Sequence, residues 1–103
     1  MNMSASKKFY ELQDLILAKT SLEKVKLHIL NRKERTIFKW VKSELNEFFK
    51  KFYNMNNFKG IIDNINKGIE EENYTLVLEN IEKSLIIIST EIEKYYKDLQ
   101  QMH

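Results

Sequence analysis

From Tyr74 to Met102 the apolar residues recur four, three, four and three positions apart: Tyr74, Leu78, Ile81, Leu85, Ile88, Ile92, Tyr95, Leu99, Met102. No strand can hold such a pattern, because side chains of a strand alternate with period two. On a helix the same spacing forms one continuous seam. A helix of about 29 residues with one apolar seam must lie against other helices, so the chain is expected to be all-α. Such a seam serves either a coiled coil between chains or the core of a bundle, since both share the same packing geometry.

The rest of the chain repeats the period. Phe9, Leu12 and Ile16, then Leu15, Ala18, Leu22, Val25 and Ile29, predict a first helix over about 5–30. Thr20 with Glu23 resembles a capping box, which leaves a break at Thr20-Ser21 as an alternative. Asn31-Arg32-Lys33 reads as a turn. Ile37, Val41, Leu45, Phe48 and Phe52, widened by Phe38 and Phe49, predict a second helix over about 34–53. Asn54-Met55-Asn56-Asn57 is the clearest loop, because Asn competes with helical hydrogen bonds and tolerates left-handed backbone. Phe58, Ile62, Ile65 and Ile69 predict a third helix over about 58–71, which carries both glycines of the chain, Gly60 and Gly68. Each glycine costs a helix about 1 kcal/mol against Ala unless it permits close packing. Glu72-Asn73 is the last turn, with Asn73 as the N-cap of a fourth helix that runs to the end. The expected architecture is a small antiparallel helical bundle of four helices, the last one long, in a single domain over residues 1–103.

Composition closes several alternatives. The chain has no Pro, two Gly and no Cys. Sheet folds need turn residues that are nearly absent here. Disulfides, thiolate zinc sites and thiol catalysis are excluded outright. The N-terminal residues show no apolar stretch of the kind a secretion signal needs, and Leu85-Ile86-Ile87-Ile88 is far too short to span a bilayer. A cytoplasmic location is expected. Heavy use of Ile, Lys and Asn is what an AT-rich genome favours and points to a bacterial or phage source.

No motif carries a named chemistry. His28 is the one internal histidine, at the edge of the first helix's apolar face, with no Ser or Asp placed by sequence to orient it. The Glu-x-x-His pair of a di-iron bundle is absent, because Val25 and Gln100 stand three residues before His28 and His103. Glu44 with Glu47, and Glu79 with Glu82, share helix faces but lie off the apolar seams. Gly-rich phosphate loops and EF-hand loops are missing. The expectation is a protein without catalytic residues, cofactor or metal.

Charge is unevenly spread. Residues 24–59 hold ten basic and three acidic side chains; residues 60–103 hold four basic and nine acidic. Arg35, Lys39, Lys42 and Lys50 fall along one side of the second helix, with Asn46 between them. That face suits nucleic-acid phosphates or an anionic membrane surface, or it complements the acidic last helix within the fold. Trp40 lies off the main stripe, where Trp often marks an interface. The end of the last helix outruns its short neighbour, so Ile92, Tyr95, Tyr96 and Leu99 form a candidate protein-partner face, either homodimeric or covered by the first helix.

In size, helicity and basic pI the chain resembles the small immunity proteins that guard bacteriocin producers, by composition and with no residue-level motif. The reading is a helical protein-interaction module: an adaptor, inhibitor, chaperone or immunity-type protein. The alternative is a nucleic-acid-binding accessory protein using the basic face of the second helix.

Overall fold

The computed structural model describes residues 3–32, 34–55 and 57–101. Among these there is no strand, and five helices form: α1 (Met3–Asn31), α2 (Ile37–Glu44), α3 (Asn46–Phe52), α4 (Lys59–Glu70) and α5 (Tyr74–Gln100). The expected turn at Lys33, the middle of the Asn loop at Asn56, and the seam's last residue Met102 lie outside the described residues. Among the described residues no helix is long and apolar enough to cross a membrane.

The first helix runs through Thr20-Ser21 without a break. Thr20 Oγ1 donates to the Ile16 carbonyl at 3.0 Å, one turn back, so the hydroxyl is satisfied inside the helix and does not cap a new one. The second expected helix is two. Leu45 has φ −94° and ψ 5°, far from the ψ of about −42° that continues an α-helix. The ladder still crosses it: Leu45 N–H donates to the Val41 carbonyl at 3.0 Å, and Phe49 N–H donates to the Leu45 carbonyl at 2.9 Å. The bend lets Ile37, Phe38 and Val41 before it, and Phe48 and Phe52 after it, all reach the core. Leu45 itself is fully buried at the joint.

Two antiparallel pairings organise the molecule. Along α1 and α5, Lys8 meets Asp98 at 3.7 Å, Glu11 meets Tyr95, and Lys26 meets Glu82, so residue numbers rise on one helix as they fall on the other. Along α4 and α5, Asn64 meets Asn80 and Gly68 meets Val77. The turn between α4 and α5 is a Schellman closure: Asn73 N–H donates to the Gly68 carbonyl at 2.8 Å and Glu72 N–H to the Ile69 carbonyl at 3.2 Å. Glu72 occupies the left-handed position that glycine usually takes, at φ 53°. As expected, Asn73 caps α5: its Oδ1 accepts from Leu76 N–H at 3.1 Å.

The core runs from Leu12 through Ile29 on α1, across the joint at Leu45, to Ile62 and Ile65 on α4 and Val77, Ile81, Ile88 and Ile92 on α5. Phe48, Phe52 and Phe58 stack with ring centroids 5.2–5.9 Å apart and seal the end near the Asn loop. Two predicted seam positions on α5, Leu78 and Leu85, are half-buried; Val77, Asn80 and Ser84 take the centre instead. The polar pair is satisfied locally. Asn80 Nδ2 donates to the Leu76 carbonyl at 2.8 Å, and Ser84 Oγ donates to the Asn80 carbonyl at 3.0 Å.

Candidate interaction faces

On α1 the buried residues are Leu12, Leu15, Ala18, Leu22, Val25 and Ile29. Their three-and-four spacing uses up the side of the helix that faces α5. Phe9 and Ile16, which the sequence places in that same stripe, are not in it. Both point outward, because Leu12 and Leu15 already fill the turn they would need. With them on the outside stand Tyr10, Leu17, Leu27 and Leu30, and all six are between 39% and 66% exposed. Phe9, Ile16 and Leu30 lie on a seven-residue spacing, and Tyr10 and Leu17 on a parallel one. The helix is therefore apolar on two opposite sides, and the fold covers one of them. A helix apolar all round is ordinarily buried all round. Single exposed apolar residues need no explanation, but six large ones on one side of one helix form an apolar strip of the kind that marks association.

The strip between these residues is weakly charged. Gln13, Thr20, Glu23 and Lys24 are exposed along it and contribute one charge of each sign. Lys24 is also held sideways, 3.0 Å from Glu44 and 6.0 Å above the Trp40 ring.

The predicted basic face comes apart. Arg35 precedes α2 and is bound bidentately by Glu72, Nε to Oε2 at 2.6 Å and Nη2 to Oε1 at 3.1 Å. That contact holds the Glu72 carboxyl below its usual range and raises Arg35 further. Lys39 and Lys42 lie on α2, but Lys50 lies on α3, beyond the Leu45 joint, so the four do not line one straight helix. Lys39, Lys42 and Lys50 are exposed, and among the described residues they make no ion pair. The expected pairing of this face with the last helix is not what forms: Arg35 meets Glu72 in the turn before α5, and the lysine that meets Glu82 on α5 is Lys26 of α1.

Trp40 is half-buried, its ring 4.6 Å from the His28 imidazole and tilted by 34°. This contact ties α2 to the end of α1 through the one internal histidine.

The end of α5 is covered by α1. Ile92 is buried, Tyr95 and Leu99 pack half-buried against the core, and Tyr96 faces solvent. Beside Tyr95 lies a cleft of about 440 Å³, lined by Glu11, Asp14, Lys51, Glu91, Tyr95 and an apolar floor that includes Leu15, Phe52 and Phe58. Its carboxylates are already engaged. Tyr95 Oη donates to Glu11, Lys51 reaches Asp14 at 3.1 Å, and Lys94 reaches Glu91 at 3.3 Å. The Glu11 hydrogen bond, with burial and the nearby Glu91 and Asp98 charges, pushes the Tyr95 hydroxyl up to about 12. Such a group holds its proton and stitches helices together. Among the described residues no three His, Asp or Glu side chains converge as a metal ion would require.

The chain matches no family model, no curated protein and no solved structure. Among the described residues, six of the nine exposed large apolar side chains stand on α1. The sequence reading missed this face because it assigned Phe9 and Ile16 inward. Tyr10, Leu17, Leu27 and Leu30 were the available signal: four large apolar residues on α1 that no inward stripe could absorb.

Proposed function

We propose that this protein is a helical protein-interaction module that works without catalysis and presents the outer face of α1 to a protein partner. The observation that carries this reading is the double-sided α1, with six large apolar side chains left in water by the fold. In architecture we read α2 and α3 as one helix bent at Leu45, so that four helical segments form a bundle on which α1 is displayed. An adaptor, inhibitor, chaperone or immunity-type protein uses a surface of this kind.

The test is to insert charge where the fold does not need the apolar side chain. Leu17→Glu with Leu27→Glu is expected to leave the circular dichroism spectrum intact while proteins retained by the wild-type chain, and cross-linked to it through α1, are lost. Equal retention by the folded double variant would overturn the reading.

A second reading rests on Lys39, Lys42 and Lys50, which are exposed and not engaged in ion pairs among the described residues. Together they suit a nucleic-acid backbone, whose binding weakens steeply with salt. Arg35 is taken by Glu72, and Lys lacks the bidentate fork used for base readout, so such binding would be non-specific. Lys39→Glu with Lys42→Glu should abolish retention on a polyanion column; unchanged retention removes this reading.

A further inference from the structure

We infer that the partner on the outer face of α1 is a second copy of this chain, docked by antiparallel pairing of α1 with its symmetry mate about a two-fold axis near Thr20. This rests on the reading of that face as an interface and goes on to name its occupant.

Shape limits the choice first. The face is the outside of a 29-residue helix, about 44 Å long at 1.5 Å per residue. A cleft of about 270 Å³ opens beside Leu17 and Thr20, against Phe48 and Phe52 of α3, but it is too short to account for the whole strip from Phe9 to Leu30. Its occupant must itself present a long, straight, apolar face, and this chain supplies one.

Area fits as well. The six exposed side chains present on the order of 600 Å². The intervening Gln13, Thr20, Glu23 and Lys24 extend the strip toward the roughly 800 Å² per partner that a stable interface needs.

Self-apposition also balances electrically. The strip carries one Glu and one Lys, so two copies meet with no excess of like charge. Antiparallel helices set opposite dipole ends beside each other. Repetition at seven residues is the spacing that keeps two helices in contact along a shallow crossing.

The two-fold relation then pairs unlike ends. Tyr10 sits ten residues before Thr20 and Leu30 ten after it, so the aromatic end of one copy meets the aliphatic end of the other. Leu27 falls between Tyr10 and Leu17 of the second copy. Ile16 packs beneath the alkyl stem of Lys24, whose amine stays at the rim. Thr20, short and already bonded within its own helix, allows close approach at the axis.

Sedimentation of the full chain over a concentration series tests this directly. The expected result is a reversible dimer. Leu17→Glu with Leu27→Glu should weaken self-association by about a hundredfold without loss of helicity, because each dimer would bury four unpaired carboxylates. Ile86→Glu, at an exposed position on α5, should leave the dimer unchanged. The chain has no cysteine, so an engineered thiol reports cleanly. Thr20→Cys should join two copies through a short thiol-reactive cross-linker, and Lys67→Cys on α4 should not. A full-length chain that stays monomeric at millimolar concentration overturns the dimer, as does a dimer that ignores the double substitution or cross-links equally at both thiols. If the monomeric chain still loses a protein partner on Leu17→Glu with Leu27→Glu, self-association is refuted while the interface reading stands.

Discussion

Gly68 on α4 lies against Val77 on α5 so closely that a Cβ on the glycine would come 2.7 Å from the valine Cγ2 and 3.1 Å from its backbone nitrogen. Val77 is β-branched, fully buried and fixed in the first turns of its helix, so it cannot step aside. Gly68→Ala should therefore cost roughly 1–3 kcal/mol in urea denaturation, despite the better helix propensity of Ala. At Gly60 an added Cβ meets nothing within 4 Å. Gly60→Ala should stabilise by about 0.5 kcal/mol. The same substitution at two positions eight residues apart on one helix would thus differ in sign, and two urea denaturation curves decide it.

Asn73→Ala removes the side-chain oxygen that accepts from Leu76 N–H. The expected loss is about 1 kcal/mol, and Asn73→Asp should recover most of it. A loss that Asp does not recover would show that the residue acts through the preceding turn and not as a cap.

Leu45→Ala empties a fully buried position at the joint and should cost roughly 2–5 kcal/mol. Leu85→Ala, at a half-buried seam position on α5, should cost about half as much or less. Equal costs would mean that the centre of α5 runs along the predicted seam after all, and not through Val77 and Ser84.

Tyr95 gives the stability a dependence on alkaline pH. Its folded pKa is raised to about 12, above the ordinary value of 10.0, so the folded state holds the phenolic proton more tightly than the unfolded chain does. That contribution is full below pH 10.0 and is lost as pH rises toward about 12. The urea midpoint should fall across this window, and Tyr95→Phe should flatten the fall. A wild-type midpoint that does not change there would remove Tyr95 from the account.

Helix existence was readable because buried residues on α1, α4 and α5 keep helical spacing. Direction was less so. Phe9 and Ile16 fit an inward stripe as well as Leu15 and Leu22 do, since spacing alone does not say which of two apolar sides a core will choose. The bend at Leu45 carries no Pro or Gly, and its ψ is set by what Phe48 and Phe52 must reach. Asn80 and Ser84 were invisible as core residues, because their burial depends on hydrogen bonds to carbonyls of their own helix. The basic face looked continuous because Arg35 and Lys50 were assigned to one helix, and pairing of Arg35 with Glu72 spans 37 residues.

The register of α1 on α5 has a consequence for how the chain folds. Glu11 and Tyr95, bonded across the two helices, are separated by 84 positions in sequence. The α4–α5 hairpin closes over a turn of a few residues and can form by itself early, whereas α1 gains its covering surface when nearly the whole chain is present. During synthesis α1 is made well before α5. For that interval both sides of α1 face water, the side later buried by α5 and the side that stays outside. Folding yield should then fall with protein concentration during refolding, and the same Leu17 and Leu27 substitutions that weaken the outer face should restore it.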